Sequence, residues 1–440
     1  MKKILGIFLL LISLTSSESL QCSDIHTTYA CLSQTNDQEG SPLWLHLESI
    51  DDLSVVMGLV MRIITELPEV EIFITTTLIQ TKEIINYLFP KLHVHLISQD
   101  NLQAIASLYD HLQPGAIILV KHNIILSLAL LSFLHKTPIF LLNASVSQTT
   151  ERLLCMSPYL YQELFNALTG IFCSHEEDRQ AFEKLGVKQT HTTVSGPAHL
   201  YNIFARRNYF LKKLRLEPKI STPIFDYPVI LMHTYNKNRI KLYLNAYEEL
   251  HKKIPNLKLI ISTSSVTSWE NELTTFIKNK NLNALLWNKN IDLYGKKSHF
   301  ITNLKNIFQA NNIFISCFSG PLFFLNNIVP IFVCDEGAAA EEIFLIFQAA
   351  IAKNAIVIGP CEKMAYLKPL KDNHFFNIVD SKNELCTTLL SLLFDKEFFI
   401  NNRKSSYNFA KKMAADVAII FNPFFELLKQ YLIEKRRLVQ

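Results

Sequence analysis

Glycine is scarce. The chain has 11 glycines in 440 residues, where average usage of ~7% gives roughly 30. Backbone cradles for phosphate need glycine at their points of close approach, which argues against a glycine-rich nucleotide loop. Cysteine is sparse too. The eight cysteines, at 22, 31, 155, 173, 317, 334, 361 and 386, include no CxxC spacing, so neither a disulfide scaffold nor a structural zinc site is expected. The 14 histidines show no HxxxH or other tight metal spacing. Walker A, GxGxxG and GxSxG motifs are absent, and no metal or cofactor is expected. Neither sign of charge dominates: the formal net charge of +4 is too small to argue for nucleic acid. Long apolar runs are missing except for Ile4–Leu14, which excludes a multi-span membrane protein.

What is present describes a globular chain, with 49% hydrophobic and 19% charged residues. Lys2 and Lys3 precede the run Ile4–Leu14, and Thr15, Ser16, Ser17 and Glu18 follow it. The run is short for a spanning helix and suits a signal-peptide core, but no A-x-A cleavage site follows. A cleaved signal, an uncleaved anchor or interfacial segment, and a buried helix all fit residues 1–21. Cys22 and Cys31 are disulfide candidates only if the segment is cleaved and the protein exported.

From residue 42 short apolar runs alternate with amphipathic stretches. Strands are expected at Leu43–Leu47, Glu71–Thr75, His93–Ile97, Gly115–Val120, Pro138–Leu142 and Gly170–Ser174. Helices are expected at Asp51–Glu66, Gln80–Leu88, Ala104–Leu112, Ile124–His135, within 151–168 and at Asp178–Leu185. After a lysine- and proline-rich stretch, 206–228, the alternation restarts with a strand at Val229–His233, a helix at Lys237–Lys253 and strands at Leu257–Ser262 and Ile313–Ser316. Asn401–Asn422 and Pro423–Arg437 read as two terminal helices, since proline ends or kinks a helix. Strands alternating with helices imply parallel sheets covered on both faces. The organisation read from this is an α/β domain over 42–205, a linker over 206–228, a second α/β domain over 229–400 and helices over 401–440. Two such domains facing each other place a ligand between the carboxyl ends of their sheets.

Four strand ends carry polar residues there. At Leu47-Glu48-Ser49-Ile50-Asp51-Asp52 a strand gives way to a helix; the residues cap that helix or supply a general base. Asn143-Ala144-Ser145-Val146-Ser147 is an ordinary polar loop or lines the cleft. His233-Thr234-Tyr235-Asn236-Lys237-Asn238-Arg239 opens a helix with solvated charges or holds a phosphate. Cys317-Phe318-Ser319-Gly320-Pro321-Leu322 is a tight turn. The acids Asp335, Glu336, Glu341 and Glu342 cap a helix or bind a cation.

Several segments, taken in order, resemble the 3-deoxy-D-manno-octulosonic acid (Kdo) transferases. The fullest match runs from Ile171-Phe172-Cys173-Ser174-His175-Glu176-Glu177-Asp178 through Phe182, Leu185-Gly186-Val187 and Val194-Ser195-Gly196, and is similar to the family's "QSEED…F…LG…VTGN". Trp44, His46 and Ser49 match its "WIHAVSVGE", Asn143-Ala144 its "NAR", Gly320 and Leu322 its "DTMGEL", and Gly359-Pro360 its "FGP". The resemblance spans roughly residues 42–365. It implies an α/β GT-B fold: two Rossmann-like parallel-sheet domains facing across a cleft, preceded by an N-terminal hydrophobic segment. It also implies a glycosyltransferase that moves Kdo from CMP-Kdo to a lipid A precursor, at the cytoplasmic face of the inner membrane.

Carried over position by position, the resemblance makes Asp52 the catalytic carboxylate. His46, Ser49 and Asn143 become acceptor-binding residues, and His233, Thr234, Lys237, Gly320 and Gln348 donor-binding ones, with no metal ligand. The departures are specific. The family's glutamate is Asp52 here, one methylene shorter; the glutamate of "MGEL" is Pro321; and the donor motif "GGHNxLEP" falls on Glu342-Ile343-Phe344-Leu345-Ile346-Phe347-Gln348-Ala349, keeping only Gln348 in place of glutamate. A second expectation follows from these losses: a catalytically degenerate GT-B homologue acting as a binding or scaffold protein.

Overall fold

The computed structural model describes residues 41–97, 102–121, 124–146, 158–213, 225–234, 236–263, 270–287, 300–316, 329–334, 340–359 and 376–439. In chain order the first half contains β1 Leu43–Leu47, α1 Ile50–Glu66, β2 Ile72–Thr76, α2 Ile79–Leu88, β3 His93–Leu96, α3 Leu102–Leu112, β4 Ala116–Val120, α4 Leu126–His135, β5 Ile139–Ala144, α5 Pro158–Ala167, β6 Gly170–Cys173, α6 Glu176–Lys184, β7 Thr192–Val194 and α7 Ile203–Lys213. The second half contains β8 Val229–His233, α8 Lys237–Lys253, β9 Lys258–Ser262, α9 Glu270–Asn279, β10 Ala284–Trp287, α10 Phe300–Ala310, β11 Ile313–Ser316, β12 Ile331–Cys334, α11 Ala340–Ile351, β13 Ala355–Ile358, β14 Asn377–Ile378, α12 Lys382–Phe394 and α13 Lys396–Val439.

These strands make two seven-stranded sheets, ordered β3-β2-β1-β4-β5-β6-β7 and β10-β11-β9-β8-β12-β13-β14. Every described pairing is parallel. The inner strands are apolar on both faces because helices cover both. Leu43, Leu45 and Leu47 pack on one side of β1, and Trp44 joins Phe73, Tyr109 and Ile117 on the other. In each sheet the first strand lies between the second strand and a later one, so each has a switch point, between β1 and β4 and between β8 and β12.

α1 buries Leu53, Val56, Met57, Val60 and Ile63, the spacing of one helical face. Its Gly58 lies against the turn that leads into α7: a Cβ built there would stand 2.0 Å from the Tyr201 carbonyl oxygen. Backbone on both sides leaves no flexible atom to yield. Gly58→Ala is therefore expected to destabilise the fold by about 2–3 kcal/mol, despite alanine's better helix propensity. A urea unfolding midpoint unchanged from wild type would refute that contact.

Two expectations need correction. Pro423 does not divide two helices; α13 runs 44 residues with the proline inside it. The interior proline costs about 3 kcal/mol, but its neighbours bury Phe421, Phe424, Phe425 and Leu428. Phe424 lies 5.2 Å from Phe140 and 4.5 Å from Phe172, ring to ring, on the first sheet. That burial, at roughly 1.5–3 kcal/mol per side chain, outweighs the lost backbone bond. Nor does Asn143 begin a loop: it lies within β5, at a left-handed φ of 53°, where the register with β6 shifts between Leu142 and Ala144. α7 runs through Lys213, so its last residues lie within the 206–228 stretch. Arg206 there is buried and donates from Nη1 to the Ser54 carbonyl at 2.9 Å. Residues 1–40, including Cys22 and Cys31, lie outside the described residues.

Candidate functional site: two crevices at the switch points

β1 and β4 pair only over Leu43–Leu45 and Ala116–Ile118, whereas β1 and β2 stay paired to Leu47 and Thr76. The strand ends therefore part at His46, and the polar residues of the first crevice gather there. Ser49 is the N-cap of α1: its hydroxyl accepts from the Asp52 amide at 3.3 Å. Asp52 Oδ2 accepts in return from the backbone N–H groups of Ser49 at 2.9 Å and Glu48 at 3.0 Å, closing a capping box. Oδ1 lies 3.2 Å from Lys121 Nζ, at the end of β4. Asp52 is 1% exposed. The Asp52 carboxylate is thus buried, capping its own helix and ion-paired.

Glu48, which the sequence reading passed over, is exposed on the rim of this crevice. Its carboxyl is pushed up by partial desolvation and then by the Asp52 charge, against a lowering by Lys121. That combination fits a proton acceptor open to solvent better than Asp52 does. Its signal in the sequence was position alone: an acid directly after a strand. Below the crevice, burial holds the His199 imidazole well below its usual range, reinforced by the charges of Arg206, Lys121 and His175. Burial lowers Arg206 to about 9.

His46 is buried, and desolvation lowers its imidazole to about 4, so it is neutral at physiological pH. Its Nδ1 lies 3.0 Å from Thr75 Oγ1, which also accepts from Trp44 Nε1 at 2.9 Å. Asn143 does not join this group. Its Oδ1 accepts from Ser174 Oγ at 2.5 Å and from the Ala198 amide at 3.2 Å. It clamps β5, β6 and the turn before α7.

The second crevice lies at the ends of β8, β9 and β12. His233 is fully buried and lowered to about 3 by desolvation, against a raising by a backbone hydrogen bond with Ser262. The Thr234 amide donates to the Ser262 carbonyl at 3.1 Å, and Thr234 Oγ1 accepts from the Asn236 amide at 2.9 Å. Asn236 caps α8 by accepting from the Asn238 amide. Lys237 opens that helix; its side chain lies outside the described residues, as does Gly320. Gln348 is 6% exposed in the middle of α11, flanked by the buried residues Ile346, Phe347, Ala349 and Ala350. Phe347 stacks on Phe409 of α13 at 5.7 Å. Position 348 is therefore buried next to residues of the core. Ser262 Oγ and Thr263 Oγ1 are buried without a hydrogen-bond partner among the described residues, at the end of β9. The small polar run after that strand was the signal for them. The turn at 317–322 and the acids at 335 and 336 fall outside the described residues. Among the described residues no group of three His, Cys, Asp or Glu could hold a metal ion.

Several solved structures share this architecture. The chain is similar to Anabaena HepE in complex with UDP and glucose, with a TM-score of 0.56 at 11% identity over 89% of this chain and 100% of that one. A glycosyltransferase from Rickettsia africae gives 0.54 at 9% identity over 89% and 99%. The UDP-GlcNAc 2-epimerase of Methanocaldococcus jannaschii gives 0.52 at 13% identity over 85% and 99%. At such identities the likeness establishes the fold alone. No curated protein matches the chain in sequence. Residues 24–200, which hold the whole first sheet, match the family of 3-Deoxy-D-manno-octulosonic-acid transferases (kdotransferases). Over those residues the chain is similar to the kdotransferases, and as a whole it has the two-sheet GT-B architecture.

Proposed function

We propose that the protein transfers Kdo from CMP-Kdo to a lipid A precursor. One observation carries the reading: a buried carboxylate, Asp52, stands in the first turn of α1 beside the β1/β4 switch point, within the residues that match the family. In the reaction a carboxylate takes the proton of an acceptor hydroxyl. The hydroxyl oxygen bonds to the anomeric carbon of Kdo, the bond from that carbon to the phosphate breaks, and CMP leaves with the electron pair. His46, Ser49 and Asn143 belong to the acceptor side of this proposal, and His233, Thr234, Lys237, Gly320 and Gln348 to the donor side. The proposed organisation keeps an acceptor domain at 42–205, a linker at 206–228 that begins within α7, a nucleotide-sugar domain at 229–400 and a closing segment at 401–440 that belongs to the single helix α13. Among the described residues no helix is long and apolar enough to cross a membrane. The proposed contact with the inner membrane therefore rests on the Ile4–Leu14 run.

A second reading, a binding or scaffold protein, is favoured by the burial of Gln348 and by the engagement of both Asp52 oxygens. The test is CMP release from CMP-Kdo by the purified chain with a lipid A precursor. It is run beside Asp52→Asn, which keeps an oxygen for the cap, and Glu48→Gln. Transfer predicts release, and removal of the working base lowers it by about 10²–10⁴-fold. If Glu48→Gln gives that loss and Asp52→Asn does not, the base has moved to the rim. No release and no CMP binding leaves the scaffold reading.

A further inference from the structure

Trp44, His46 and Thr75 form a closed donor–acceptor account on the face of β1 and β2 behind the first crevice. Thr75 is fully buried, and its hydroxyl has one proton to give and two lone pairs. Trp44 Nε1 can only donate, so it occupies a lone pair. The remaining neighbour of the hydroxyl is His46 Nδ1. If Nδ1 carried the ring proton, the threonine proton and the Nε2 lone pair would both be stranded in the interior. If the threonine donates to Nδ1, a single group is stranded, the Nε2–H. That atom is buried with no partner among the described residues, at the point where β1 and β4 part.

We infer that Thr75 is a positioning residue: it relays the fixed donation of Trp44 into His46 and locks that imidazole as the neutral Nε2–H tautomer, a hydrogen-bond donor held ready for an oxygen of the acceptor sugar. The ligand half of this inference rests on the transferase reading; the tautomer half does not. Leaving a buried N–H unmatched destabilises the empty protein, and a ligand oxygen entering between the parted strands removes that penalty.

The experiment uses the full chain with ¹⁵N-labelled histidine, His46 being assigned by the signal lost in His46→Asn. Long-range ¹H–¹⁵N spectra distinguish the two tautomers directly. The expected result is Nε2–H in the wild type, retained in Thr75→Ser and lost to a mixture in Thr75→Val. Nδ1–H in the wild type, or an unchanged tautomer in a folded Thr75→Val, overturns the relay. If Thr75→Val fails to fold, the wild-type spectrum decides. The lipid A precursor in micelles is expected to shift the Nε2 resonance, and CMP-Kdo alone is not. A shift with CMP-Kdo alone, or with neither, overturns the acceptor contact. In turnover, Thr75→Val should raise the acceptor KM about tenfold with kcat within about threefold. Absence of CMP release with the tautomer and the shift intact defeats the transferase reading and leaves the tautomer half of the inference standing.

Discussion

Asp52→Ala is expected to lower the unfolding free energy by about 3–5 kcal/mol, a large share of the roughly 5–15 kcal/mol that holds a typical domain together. Two losses combine. The capping box loses the oxygen that accepts from the Ser49 and Glu48 amides, which is worth about 1 kcal/mol. The Lys121 ammonium, whose side chain is 11% exposed, loses the carboxylate 3.2 Å away. Removing one partner of a buried ion pair is the larger cost. The double variant Asp52→Ala/Lys121→Met removes both charges and should recover much of the loss. Urea denaturation of the wild type, the two single variants and the double variant gives the coupling between them. Strictly additive effects would mean the pair contributes nothing. The same reasoning makes Asp52→Ala a poor test of catalysis, because an inactive alanine variant is also a weakened fold.

Acidification is expected to unfold the protein well above the pH at which carboxylates protonate. His46 and His233 are buried as neutral rings, lowered to about 4 and about 3, and burial lowers His199 in the same direction. In the unfolded chain each takes up its proton near 6.5. Below that pH the unfolded state binds more protons than the folded one, so stability falls as pH falls. The stability is fully present above about 6.5 and drains away down to about 4 for His46 and about 3 for His233. For His46 alone the loss by pH 4 is on the order of 3 kcal/mol. Melting temperatures measured from pH 8 to pH 4.5 should hold to about 7 and then fall steeply. A flat profile to pH 4.5 would mean these imidazoles are not held neutral in the interior.

The fold was legible where local pattern and burial agree. β1, β8, α8 and β11 begin and end where the sequence places them, because their apolar runs are short, unbroken and bounded by polar residues. β7 escaped notice since Thr192–Val194 is three residues with two threonines, and it owes its strand geometry to pairing with β6. The continuity of α13 through Pro423 was invisible for the same kind of reason: what decides it is a set of phenylalanines on a distant sheet. At the candidate site, the motif around His46 and Ser49 identified the strand end but not its wiring. Thr75 enters through the register of β2, and Lys121 through the adjacency of β4, a consequence of strand order that no local window contains. Asp52, where the resemblance implies a glutamate, reads in sequence as a small shortening. In the folded chain the shorter side chain turns back to cap the helix that carries it.

α13 also sets the order in which the molecule can be completed. The first sheet's covering includes Phe424, Phe425, Leu428 and Leu432, which pack in one cluster with Leu43, Ala116 and Phe140. Arg62 reaches Asn422 Oδ1 at 2.8 Å and lies 3.8 Å from the Phe425 ring. A ribosome making this chain displays the first sheet long before it has made the helix that seals it. Until residue 432 emerges, the flank of β4 and β5 stays wet and apolar, and it is open to chaperones or to the same surface on a neighbouring nascent chain.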